Sequence, residues 1–112
     1  MRRFSRRTDE IARRAGLTPQ RYNLLLMIRG SSDEQASVGE LAEALQAAQS
    51  TVTELVNRAA RAGLVSRTPS KADGRVAFVR LTDEGERVFA AAFQELAEER
   101  EALRHAIEQL DR

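Results

Sequence analysis

The chain has 112 residues and a formal net charge of +1, one domain's worth of polypeptide with enough bulk for a single modest core. It contains no cysteine, which excludes disulfides, thiolate metal sites and thiol redox chemistry. No apolar run approaches the roughly 18 residues of a membrane span, and the opening MRRFSRRTDE has arginines but no apolar stretch, so no signal peptide is expected and the cytoplasm is the expected location.

A first helix is expected over residues 3–15, with Phe4, Ile11, Ala12 and Ala15 as a sparse apolar face closed by Gly16. The second opens at Thr18, whose hydroxyl can cap it, with Pro19 at the first helical position, where a missing N–H costs nothing. Leu24, Leu25, Met27 and Ile28 make this the most apolar helix and therefore the central one. Gly30 ends it, and GSSDEQ reads as a polar loop.

Ser37 and Glu40 have the spacing of a capping box, in which each satisfies a backbone donor of the other. Leu41, Ala42 and Leu45 then face inward, and a break at Gln46-Ala47-Ala48 leads to a helix over residues 49–62. In that helix Val52, Leu55, Val56 and Ala59 recur at i, i+3, i+4 and i+7, one buried stripe. Ser50, Thr53, Glu54, Asn57, Arg58 and Arg61 fall on the opposite face, small and polar at its start and basic at its end. Gly63 suits the left-handed position that stops a helix.

Residues 64–68 and 76–81 have strand character, and Asp73-Gly74 between them is a strong hairpin signal of the type I′ kind. Thr82 caps the last helical region, with Asp83, Glu84 and Glu86 well placed against the helix dipole. Residues 86–112 hold no Gly or Pro, and Phe89, Phe93, Leu96, Arg100, Leu103, Ile107 and Leu110 are spaced as a heptad seam with one polar knob. Ordinary core packing is the alternative; dimerisation is preferred because the preceding elements have a core of their own. The single histidine, His105, stands among polar residues and reads as solvated.

Charge is unevenly spread. Residues 1–14 carry six arginines against Asp9 and Glu10, while from Asp83 onward nine acids face four arginines. Arg58, Arg61, Arg67, Lys71, Arg75 and Arg80 share their stretch with one acid, Asp73. A basic patch confined to a hairpin and the helix before it is an electrostatic footprint for phosphates.

Residues 37–85 thus give two short helices, a hairpin and the start of another helix. That order is a winged helix-turn-helix, which puts a helix in the DNA major groove with a basic hairpin beside it. The fold expected is mainly α with a small β-hairpin wing: residues 18–82 form a DNA-binding lobe, and residues 1–17 and 83–112 form dimerisation helices. The chain also resembles bacterial regulators of the MarR family over residues 17–88. The resemblance rests on LTPQRYNLLLMI, STVTELVNRAARAGLVSR and DGRVAFVRLTDEG, in this order and at these spacings.

The resemblance implies a homodimeric, sequence-specific DNA-binding regulator, a repressor more often than an activator in this family. It implies a recognition helix in the major groove, a wing in the flanking minor groove and a pseudo-palindromic operator. Gln49, Ser50, Thr51, Thr53 and Asn57 are expected to divide between base edges and phosphates. Arg58, Lys71 and Arg75 supply charge. The D-x-R of the wing falls on Asp73 and Arg75, with Arg75 in the minor groove and Asp73 holding wing or arginine in place. Asn57 is the expected adenine reader and Arg58 a phosphate contact.

Departures from the family pattern are Gln46 and Ala48, where a glycine and a capping hydroxyl are common, and Glu54, which pairs with Arg58 or accepts from a cytosine. The chain is short for the family at both ends, and the usual break between the last two helices is not found. A small aromatic acid is a possible effector, with Phe4, Tyr22, Met27 and wing-facing arginines as its lining; core packing explains the apolar ones equally well. The alternative function is a winged helix that binds a protein partner. No nucleophile–base pair, P-loop or metal-ligand motif points to an enzyme or a cofactor.

Overall fold

The computed structural model describes residues 17–70, 72 and 74–110. The helix expected over residues 3–15, Gly16, Lys71 and Asp73 lie outside them. The elements are α1 (Pro19–Arg29), a short 3₁₀ turn (Ser32–Glu34), β1 (Gln35–Ser37), α2 (Val38–Leu45), α3 (Gln49–Arg61), β2 (Val65–Pro69), β3 (Ala77–Leu81) and α4 (Asp83–Leu110). The strands form one antiparallel sheet in the order β1-β3-β2. Among the described residues no helix is long and apolar enough to cross a membrane.

Helix α1 starts as its sequence dictates: the Arg21 amide donates to Thr18 Oγ1 at 3.1 Å, with Pro19 in the first turn. Its Leu24, Leu25 and Ile28 are fully enclosed, and α1 packs against α2, α3, α4 and the sheet. The capping box of α2 is complete: Glu40 N–H donates to Ser37 Oγ at 3.1 Å, and Ser37 N–H to Glu40 Oε1 at 2.9 Å. Ser37→Ala is expected to lower stability by about 1 kcal/mol; an unchanged denaturation midpoint would show that water replaces the hydroxyl at no cost.

The connection after α1 is not merely a polar loop. It contains the 3₁₀ turn and then β1, whose Ala36 is buried opposite Val79 of β3. Three residues are too few for a period-2 pattern to register in a sequence. Asp33 and Glu34 have φ of 57° and 56°, the left-handed region that disfavours side chains. Arg29 holds Glu34 there at 2.5 Å and also meets Glu86 of α4 at 3.2 Å.

Helix α3 ends in a Schellman motif. Gly63, at φ 78°, donates to Ala60 O, and Leu64 N–H reaches back to Ala59 O, each at 3.0 Å. The ladder between β2 and β3 runs from Val65↔Leu81 to Pro69↔Ala77, and Ser70 N–H donates to Val76 O at 2.7 Å. Ser70 and Val76 close the described part of the ladder; Asp73 of the expected Asp-Gly turn lies outside the described residues.

Thr82 caps α4 through Gly85 N–H at 3.0 Å and also donates to Gly63 O at 2.6 Å, tying α4 to the end of α3. Helix α4 is unbroken for 28 residues. Its expected heptad seam divides in two. Phe89 and Leu96 join the core of the winged lobe, and Tyr22 of α1 stacks on Phe89 at 5.5 Å between ring centroids. Phe93, Leu103, Ile107 and Leu110 remain exposed. The heptad spacing predicts a seam uncovered throughout; α1 instead packs against α4, and Phe89 and Leu96 are buried while Phe93 between them stays exposed.

Candidate nucleic-acid interface

The site is built on α3. With Val52, Val56 and Ala59 fully buried, a 100° rotation per residue forces the polar positions outward. Gln49, Ser50, Thr51, Thr53, Glu54, Arg58 and Arg61 are all exposed, while Asn57 is half-buried. Ala48 provides no side-chain cap, and no acidic residue stands in the first turn. The positive end of the helix dipole is thus presented with its amides available to an anion. Gln49 lies close to α2: its Nε2 is 3.6 Å from where a Cβ on Gly39 would stand.

Two cross-links organise the basic end of this face. Arg58 Nε donates to Glu54 Oε1 at 3.0 Å, the i,i+4 pair that the sequence allows. This answers the question Glu54 poses: its charge is matched within the helix instead of facing phosphates alone. Asn57 Oδ1 accepts from Nη2 of Arg67 on β2, which explains why an outward-facing asparagine is only half-exposed. Arg67 is absent from the residues expected to act here. The sequence places it in the basic cluster, but a helix-to-strand contact ten positions apart leaves no local periodicity to read.

The wing adds charge beside α3. Arg75 is exposed near the tip and Arg67 reaches α3 from β2. Arg80, next to buried Val79 in β3, projects from the other face of the sheet and donates to Gln35 Oε1 at 3.2 Å. The expected partner of Arg75 in the D-x-R motif, Asp73, and the expected wing cation Lys71 lie outside the described residues. The structure therefore ties Asn57 to the wing through Arg67, keeps Arg58 paired with Glu54 within α3, and places Ser50, Thr51 and Thr53 at the opposite end of the face.

Of the expected effector lining, Phe4 lies outside the described residues. Tyr22 is buried against Phe89 as part of the core; burial pushes its phenol above the usual tyrosine range, partly offset by the Arg100 guanidinium. Met27 packs against the same core. A cleft of about 450 Å³ lies instead between α1 and α4, lined by Leu26, Arg29, Glu86, Phe89 and Phe93 among others. Among the described residues no cluster of side chains could hold a metal ion.

Comparison with known proteins places this geometry. The family model described as MarR family matches residues 15–76. The chain is 30% identical over 83 residues to the HTH-type transcriptional repressor IacR of Pseudomonas putida, covering 74% of this chain and 48% of that protein; it thus spans about half the length of that curated relative. Among solved structures it resembles the transcriptional regulator Tm0710 from Thermotoga maritima, with 30% identity, a TM-score of 0.73, and coverage of 93% of this chain and 76% of that one. It also resembles a point mutant of S. aureus MepR bound to an oligodeoxyribonucleotide, with 21% identity, a TM-score of 0.80, and coverage of 94% and 80%. At that identity the second likeness speaks for the fold alone.

Proposed function

As the chain belongs to the MarR family, we propose that it is a sequence-specific DNA-binding transcriptional regulator, a dimeric repressor acting in the cytoplasm. The observation that carries this reading is the division of α3: one stripe fully enclosed, the other polar and then basic, beside a wing with exposed arginines. An uncapped helix start, hydroxyls and carboxamides at its first turns, and guanidinium groups at its end suit a phosphate backbone and a row of base edges. Phosphate contacts position the protein, and base contacts specify the site.

In this reading Gln49, Ser50, Thr51, Thr53 and Asn57 divide the base and phosphate contacts of the major groove. Arg58 meets a phosphate with Glu54 keeping it extended. Arg75, supported by Lys71 and Asp73, enters the flanking minor groove. Residues 1–17 and 83–112 join two copies, and the exposed Phe93, Leu103, Ile107 and Leu110 supply apolar surface for that contact. Two-fold symmetry then calls for a pseudo-palindromic operator with half-sites about one helical turn apart. A small aromatic acid is the proposed effector class; the α1–α4 cleft offers it the rings of Phe89 and Phe93, while Arg29 there is engaged by Glu34 and Glu86.

The protein-binding alternative draws on Glu54, the missing side-chain cap at Ala48 and the small net charge; of these, Glu54 is paired with Arg58. Selection from a random DNA pool tests the proposal. Recovery of a pseudo-palindrome, bound less tightly as salt rises, is the expected result. Recovery of no enriched sequence would move the function to a protein partner.

A further inference from the structure

We propose that Arg67 on β2 is a specificity-determining residue that acts by fixing which edge of Asn57 faces the DNA. The inference rests on the DNA-binding reading and adds a residue and a base preference to it. Its starting point is the contact between Arg67 Nη2 and Asn57 Oδ1. A guanidinium has donors and no acceptor, so only the oxygen of the carboxamide can face it. The usual ambiguity of an asparagine side chain is removed by its partner's chemistry.

The carboxamide is planar, so an oxygen turned toward the wing strand leaves the NH₂ group directed away from it. Bidentate recognition of adenine needs both edges at once: the oxygen to accept from N6 and the nitrogen to donate to N7. With its oxygen turned to Arg67, Asn57 offers the groove a donor. Guanine presents two adjacent acceptors there, O6 and N7. Adenine sets a donor, N6, beside its single acceptor N7, thymine has one acceptor beside a methyl, and cytosine presents a donor. A group that only donates therefore meets two acceptors at guanine alone. The charge of Arg67 also polarises the amide and strengthens the N–H groups as donors. Asn57 therefore selects guanine in each half-site, in place of the adenine that an unconstrained asparagine would read.

The backbone at both residues belongs to regular elements, and Arg67 is exposed, so its substitution leaves the fold intact. The experiment measures binding of the wild type, Arg67→Ala and Arg67→Lys to the selected operator and to all single-base changes at the position contacted by residue 57. The wild type is expected to prefer guanine over adenine there by about tenfold. Arg67→Ala should lose that preference or reverse it, because the carboxamide can then turn. Arg67→Lys, also a pure donor, should restore it. In an Asn57→Ala background, Arg67→Ala should leave the base profile unchanged.

If Arg67→Ala weakens all sequences equally and keeps the guanine preference, Arg67 is a phosphate contact only and the inference falls while DNA recognition stands. A profile that changes in the Asn57→Ala background would show Arg67 reading bases itself and would also overturn it. If the wild type enriches no sequence, both the inference and the proposal beneath it fail.

Discussion

Gly85→Ala is expected to destabilise the protein by about 3 kcal/mol, the upper end of what overpacking costs. On helix propensity alone the change should stabilise α4 by up to ~1 kcal/mol, so the sign of the effect is diagnostic. An added Cβ would stand 2.0 Å from Leu64 O and 2.9 Å from Leu64 C. These are backbone atoms, and they are pinned. Leu64 N–H donates to Ala59 O and Leu64 O accepts from Thr82 N–H, each at 3.0 Å. The Leu64 side chain is 5% exposed. Relief requires α4 to lift off the end of α3, which breaks the Thr82 contacts to Leu64 and Gly63 as well. Chemical denaturation checks this, and a midpoint at or above that of the wild type would mean that α4 shifts freely.

Arg75→Ala is expected to weaken operator binding by about 1–3 kcal/mol, roughly fivefold to 150-fold. In the proposed complex the guanidinium of Arg75, exposed on the wing, enters a narrow, electronegative minor groove, where its loss is felt most at A·T-rich flanks. Arg75→Lys should recover only part of the affinity, since an ammonium is more strongly hydrated and gives up its water less readily. Mobility shifts on operators with A·T-rich and G·C-rich flanks make the comparison. Equal affinity of Arg75→Ala and wild type on both would remove the wing from the interface.

What the sequence made legible was local. Thr18 with Pro19, Ser37 with Glu40, and Gly63 after a basic turn each act within a few residues of themselves, and each performs the capping role its chemistry implies. The stripe of Val52, Val56 and Ala59 settles the rotation of α3, and with it the face on which most candidate contacts lie. The features that escaped are those decided between distant segments. β1 exists because Ala36 finds Val79. Gly85 is required because the Leu64 carbonyl, in the link between α3 and β2, lies against it. The α4 seam has a uniform pattern, yet only the structure divides it between lobe and exposed surface, because burial depends on where α1 crosses and not on the spacing of apolar residues. The Asn57–Arg67 contact belongs with these.

The tight seat of Gly85 against Leu64 makes the base of α4 a fulcrum. From Gly85 to Leu110 the helix extends about 38 Å at 1.5 Å per residue. A tilt of about 5° at the base therefore displaces the far end by about 3 Å over that length. In the proposed dimer, clamped at those far ends, the lever would work in reverse and swing each α3 against a half-site separation of about 34 Å. Whatever presses on the α1–α4 cleft pushes at the short arm of that lever, next to its pivot, where a small displacement has the greatest angular effect.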